Sequence, residues 1–171
     1  MGLLKKILPL RTQATLYLRW FGFSKIPLLL YVRPSVVLLN DAKVIVRIPF
    51  RRRTKNHLKS MYFGALAIGA DCAGGLIAMQ QIRASKEPVA LIFKSLHADF
   101  LKRAEGDVLF TCTQGREISA LVAEAIQTGE RVEMPLKIIA TVPSKFEDEP
   151  VAVFTLVLSL KNKKDEIPVT S

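Results

Sequence analysis

The stretch from Asn56 to Met79, NHLKSMYFGALAIGADCAGGLIAM, decides how this chain folds. Leu58, Met61, Tyr62, Ala65, Leu66, Cys72, Ala73, Leu76 and Met79 recur at helical spacing. The other faces are not polar; they carry Phe63, Gly64, Ala67, Ala70, Gly74 and Ala78. A helix that is apolar or small on every side is a buried helix. Its glycines lower helix propensity, but they thin the helix so that other backbone can approach it closely. One charge, Asp71, sits in the middle. A lone carboxylate on a buried helix is costly unless it is paired or has a task.

A transmembrane span is the competing reading, because Met61 to Met79 is nearly long enough and carries one charge. The energetics oppose it. Phe63, Leu66, Ile68, Leu76 and Ile77 each contribute roughly −0.3 to −0.6 kcal/mol to insertion, whereas a central aspartate costs roughly +2.5 to +3.5 kcal/mol. The expectation is a helix buried in a soluble protein.

The 171 residues suffice for one domain with a proper core, and half of them are hydrophobic. Net charge is +10. That favours a polyanionic partner: nucleic acid, an acidic membrane surface or a phosphorylated cofactor. The basic clusters are equally compatible with a plain solvated surface. Nucleic acid is disfavoured, because no recognition motif and no interleaving of aromatic and basic residues is present. The two cysteines, Cys72 and Cys112, lie in apolar patterns and read as buried, reduced thiols. No Cys/His spacing suggests a metal. Lys5 and Lys6 precede an apolar run that Pro9 and Arg11 interrupt, so a signal peptide is not expected and the location expected is cytoplasmic.

Residues 3–21 read as helical in two pieces around Pro9, ended by Gly22, and Ile26 to Val32 as a further short helix. With Lys5, Lys6, Arg11 and Arg19 nearby, this segment has the makings of a membrane-surface element. Packing on its own domain or on a partner subunit ranks above that. From Pro34 the period changes to two. Val36–Leu39 and Lys43–Pro49 form a hairpin about Asn40-Asp41. After the long helix, which Pro88 prevents from continuing, strands are expected at Val89–Leu101, Val108–Thr113, Arg131–Val142 and Val151–Lys161. A helical insert, Glu117–Ile126, lies between Gly115 and Gly129. The fold class is α+β: one long helix wrapped by a curved antiparallel sheet. An N-terminal helical segment, residues 1–33, precedes a main domain at 34–171. The exposed sheet edge favours edge-to-edge dimerisation.

The order of elements resembles the hotdog fold, and two motifs resemble its acyl-CoA thioesterases, in particular the phenylacetyl-CoA thioesterase branch and its uncharacterised relatives. In that branch an Asn precedes a His-Gly-Gly at the helix start, and a Leu-Ala-Asp (or Glu) follows. Here Asn56 stands at the first position, Tyr62-Phe63-Gly64 at the second and Gly69-Ala70-Asp71 at the third. After the helix the family has Phe-Leu-(basic)-x-x-x-Gly-Asp, matched by Phe100-Leu101-Lys102-Arg103-Ala104-Glu105-Gly106-Asp107. The resemblance covers about residues 34–161. It departs where the family His is Tyr62 and the first Gly is Phe63.

The resemblance implies hydrolysis of an acyl-CoA or acyl-carrier thioester, with coenzyme A entering only as part of the substrate and no metal. It also implies a homodimer, or a dimer of dimers, whose site lies at the interface. Asp71 of one chain would face the helix start of the other. Chemically, Asp71 is the candidate general base. The backbone N–H groups of Phe63 and Gly64 are the candidate oxyanion donors. Asn56 would hold the water or the carbonyl, and Tyr62 would donate a hydrogen bond. Arg53, Lys59, Lys102 and Arg103 are candidates for the coenzyme A phosphates. Structural readings stand beside these. Asn56 fits a helix N-cap, Tyr62 fits the core, Asp71 fits an interface hydrogen bond, and the basic residues fit a solvated surface. The rival functions are a non-catalytic acyl or lipid binder and a hotdog dehydratase. The empty His position argues against the dehydratase.

Overall fold

The computed structural model describes residues 9–163. Helices α1 (Leu10–Ser24) and α2 (Pro27–Val32) lead into strands β1 (Ser35–Leu39) and β2 (Val44–Ile48). The long helix α3 (Phe63–Ser85) follows, then β3 (Val89–Phe100), β4 (Val108–Cys112) and α4 (Gly115–Thr128). Strand β5 (Val132–Thr141), the short α5 (Pro143–Phe146) and β6 (Pro150–Asn162) complete the chain. The strands form one antiparallel sheet in the order β1-β2-β4-β5-β6-β3.

A single row of paired residues shows how the sheet serves the helix. Val36, Val46, Phe110, Ala140, Ala152 and Phe100 face one another in turn across all six strands. The first five are buried, and Phe100, on the last strand, is 51% exposed. Phe110 needs room against α3, and Gly69 supplies it. A Cβ at Gly69 would lie 2.3 Å from the Phe110 ring. On the far side Phe93 of β3 lies over Gly74. Gly69 and Gly74 are therefore notches for sheet aromatics, where the sequence suggests close approach of other backbone.

The two sheet edges differ. Along β1, helix α1 seals the edge: Thr15 Oγ1 accepts the Val36 N–H at 2.9 Å, and Arg19 Nε donates to the Pro34 carbonyl at 3.3 Å. Strand β3 is paired on one side only, by β6, among the described residues. Its Ile92, Leu96 and Phe100 are exposed.

Two expectations need correction. Helix α3 begins at Phe63, not Asn56. Residues 56–60 fold as a loop, in which Met61 donates its N–H to the Ala104 carbonyl at 2.7 Å instead of continuing a helix. Gly22 does not end α1, which runs on to Ser24; the Gly22 position is pressed against Leu30, whose backbone N would be 2.8 Å from a Cβ there. Between β5 and β6, Pro143–Phe146 makes one helical turn. The cover of α3 is incomplete on one side. Gly64, Ile68, Asp71, Gly75 and Met79, spaced three or four residues apart, form a half-open stripe. The helix expected before Pro9 lies outside the described residues.

Helix α3 is long and apolar enough to cross a membrane by length and composition. Its Phe110 and Phe93 contacts and its buried Ala70, Ala73 and Ile77 place it instead in the centre of the fold.

Candidate functional site

The loop before α3 is built from its own polar side chains. Buried Thr54 donates from Oγ1 to the Pro49 carbonyl at 2.9 Å and accepts the Arg51 N–H at 3.0 Å. Asn56 Oδ1 accepts the N–H groups of Leu58 (2.9 Å) and Ser60 (3.1 Å), and Asn56 Nδ2 donates to Ser60 Oγ at 3.0 Å. Asn56 is thus a loop organiser and not the N-cap of α3. One amide hydrogen of its Nδ2 remains free of these bonds. The loop delivers Tyr62 as N-cap in extended conformation, with no side-chain cap.

That leaves the helix start open. Ala65 and Leu66 N–H both bond the Tyr62 carbonyl. Among the described residues, no acceptor meets the N–H of Phe63 or of Gly64. Unsatisfied donors at a helix N-terminus attract negative charge. The ring of Tyr62 folds over this end, where a Cβ at Gly64 would meet Tyr62 Cε1 at 2.5 Å, and stacks on Phe63 with centroids 4.6 Å apart. Tyr62 is 48% exposed, so it is not core.

A cleft of about 400 Å³ lies beside the helix start. Its apolar wall includes Leu58, Met61, Leu66, Phe100 and Leu101, and its polar rim includes Asn56, Ser60, Lys102 and Arg103. Phe63 lines it as well. The cleft therefore unites Asn56, Phe63, Lys102 and Arg103 of the expected residues. Lys102 is engaged there: it pairs with Glu149 and its ammonium lies 5.0 Å from the Phe146 ring centroid. Lys59 is exposed and does not line the cleft. Arg53 belongs elsewhere, donating to the Tyr31 carbonyl at 3.2 Å in a second, arginine-lined groove. The apolar wall of Leu58, Phe100 and Leu101 had no sequence signal beyond the motif that contains two of them.

Asp71 also lies outside the cleft. It sits eight residues along α3 from Phe63, about 12 Å by helical rise. Among the described residues its carboxylate has no hydrogen-bond or ion-pair partner, and burial pushes its pKa up from the usual aspartate value. Burial likewise raises the thiols of Cys72 and Cys112, which are free and inert. Among the described residues no group of side chains fits a metal ion.

Gly106-Asp107 of the second motif is structural. Asp107 Oδ1 accepts the Phe50 N–H at 2.8 Å, and Oδ2 lies 3.4 Å from Arg47 Nε. A Cβ at Gly106 would meet Val142 Cγ1 at 2.6 Å. The pair fastens the start of β4 to the end of β2 and so fixes the floor beside the loop.

A long central helix wrapped by a six-stranded antiparallel sheet is the hotdog fold of thioesterase-like proteins. The chain belongs to the family described as a domain of unknown function, DUF4442, which matches residues 15–148. It is similar in structure to a Pseudomonas aeruginosa protein of unknown function described as a probable thioesterase. The two are 25% identical, with a TM-score of 0.73 over 91% of this chain and 98% of that one. A Haemophilus influenzae thioesterase shares the fold at 14% identity and a TM-score of 0.61, covering 85% of this chain and 88% of that one. A mutant thioesterase from Pseudomonas aeruginosa does so at 14% identity and 0.63, covering 90% and 95%. Among curated proteins none matches the chain.

Proposed function

We propose that the protein is a cytoplasmic, homodimeric acyl-CoA thioesterase whose sites are completed across the dimer interface. The observation that carries this reading is the pair of unengaged N–H groups, at Phe63 and Gly64, opening beside an apolar cleft of about 400 Å³. The cleft suits an acyl chain, and the helix start suits the oxygen of a thioester carbonyl as it becomes negative. The likeness to proteins described as thioesterases supports the same chemistry.

In this reading Asp71 of the second subunit faces the cleft. The half-open stripe on α3 and the unpaired edge of β3 are where a second copy would bury its own equivalents. The carboxylate takes a proton from water while the water oxygen bonds to the carbonyl carbon. Phe63 and Gly64 N–H hold the resulting oxyanion. Collapse breaks the carbon–sulfur bond, and the leaving thiolate receives the proton from Asp71. Burial raises the pKa of Asp71 above the usual aspartate value, which strengthens it as a base that must both take and return a proton. The free Nδ2 hydrogen of Asn56 orients the carbonyl. Arg103 and Lys102 at the rim meet coenzyme A phosphates, with Lys102 exchanging Glu149 for the phosphate. An acyl-carrier substrate would use the same cleft.

One observation favours a second reading, non-catalytic acyl binding: Tyr62 stands where the resembled family has His, and its ring lies over the helix start. A panel of short, medium, long and aryl acyl-CoAs decides between the two. Release of free thiol by wild type, abolished in folded Asp71→Asn protein, supports the hydrolase. Saturable acyl-CoA binding without thiol release would establish the binder.

A further inference from the structure

Charge is segregated along this chain. The first 70 residues hold 13 of the 25 Lys and Arg but one of the 15 Asp and Glu, Asp41. The fold concentrates part of that charge. Arg19 of α1, Arg33 after α2, Arg47 of β2 and Arg51, Arg52 and Arg53 together line an open groove of about 800 Å³. Among the described residues no Asp or Glu lines it. Among the described residues only Arg47 of these has an ion-pair partner, Asp107 at 3.4 Å, and its Nε makes no hydrogen bond.

The helices beside this groove turn apolar residues outward. On α1, Leu16, Trp20 and Phe23 share one face at spacings of four and three, and are 53%, 62% and 73% exposed. On α2, Leu28 and Tyr31 are exposed, and Tyr31 itself lines the groove. The opposite face of α1, with Ala14 and Leu18, is buried against the domain. The outer face is therefore not needed for the fold of a single chain. An exposed contiguous apolar patch marks a binding surface. Trp and Tyr favour the boundary between headgroups and hydrocarbon, and clustered arginines favour anionic headgroups.

We propose that α1, α2 and the arginine groove form a docking surface for an anionic phospholipid bilayer. Trp20, Phe23 and Leu16 enter the interface, and the groove receives lipid phosphates. Charge complementarity selects this occupant. An apolar face alone would suit many partners, but one bordered by six arginines and no carboxylate on the groove wall suits an apolar layer beneath a negative surface.

The test is flotation of the full chain with phosphatidylglycerol/phosphatidylcholine vesicles and with phosphatidylcholine vesicles. The expected result is binding to the anionic vesicles only, weakened by salt. Trp20→Ser with Phe23→Ser should abolish it, and Arg51→Gln with Arg52→Gln should weaken it roughly tenfold. Both pairs of changes are on exposed side chains, and circular dichroism and retained tryptic resistance verify folding. The proposal is overturned if wild type leaves anionic vesicles unbound, if it binds phosphatidylcholine equally, or if either variant pair binds like wild type. Loss of an oligomer in Trp20→Ser/Phe23→Ser, with no vesicle binding by wild type, would assign the face to a second copy of the chain instead.

Discussion

The two sides of helix α3 are made from the same few residue types and have opposite fates. On one side Gly69 presses into the sheet and receives the fully buried Phe110. On the other, Gly64, Asp71 and Gly75 line a stripe that stays half open. Small residues on a helix permit close approach, but they do not say what approaches. On the closed side a sheet aromatic does. On the open side the only acidic residue of the helix, Asp71, has no hydrogen-bond or ion-pair partner among the described residues, and burial raises its pKa. The contrast separates residues that hold the fold from those to which the proposed function gives a task.

The largest expected effect lies on the open side. Asp71→Asn should lower kcat for acyl-CoA hydrolysis roughly 10²–10⁴-fold, measured by thiol release, while the protein stays folded. Phe63→Pro should lower it roughly 10²–10³-fold. Proline suits the first helical position, and Tyr62 before it already has the extended backbone (φ −64, ψ 136) that proline requires. The change removes a donor N–H that no acceptor uses. It leaves the helix hydrogen bonds intact, so circular dichroism should be unchanged.

Asp71 also sets a pH dependence. Its folded-state pKa lies above the ordinary value of 3.8, so between the two the folded protein binds the extra proton. Stability from this group is full below 3.8 and is lost as pH rises through the raised pKa. Activity runs the other way, rising over the same limb as the base ionises. Urea titrations across pH should show Asp71→Asn removing that loss of stability, making the variant more stable than wild type at neutral pH.

On the closed side, Gly69→Ala should cost about 1–3 kcal/mol in urea unfolding, because the added methyl meets the Phe110 ring at 2.3 Å and Phe110 is fully buried. Gly75→Ala, on the open side, meets only Phe93 at an ordinary 3.8 Å and should be neutral or stabilising. A modest cost is expected at the sealed sheet edge. Thr15→Val should cost about 1 kcal/mol, since it leaves the Val36 N–H without its acceptor.

Much of the fold was legible because its signals are local. Asn40 marks the first hairpin, and its Oδ1 accepts the N–H groups of Ala42 and Lys43 within the turn. Gly129 marks the end of α4 and has the left-handed φ of 72° that glycine favours. The helix start was misread because Leu58 and Met61 happen to fall at helical spacing. The loop that replaces that turn is held by Met61 to Ala104, a contact more than forty residues long, and by Asn56 turning inward. Gly22 misled for the same reason: its lack of a side chain admits Leu30 and does not end the helix. The site was half legible. Asn56, Phe63, Lys102 and Arg103 do meet at one cleft, but Arg53 was drawn into another groove that only the folding of α2 beside the loop creates. The open stripe was invisible, since small residues read alike whether a sheet covers them or not.

The central claim is that Asp71 and the helix start belong to different chains of one site. Mixing Asp71→Asn protein with Phe63→Pro protein, after unfolding and refolding together, tests it most directly. Each variant alone is inactive. In a mixed dimer one site carries both lesions and the other carries neither, so the statistical mixture should recover about a quarter of wild-type thiol release. A mixture as inactive as its components, with mixed dimers demonstrated by differential tags, would place both groups within one chain and contradict the account.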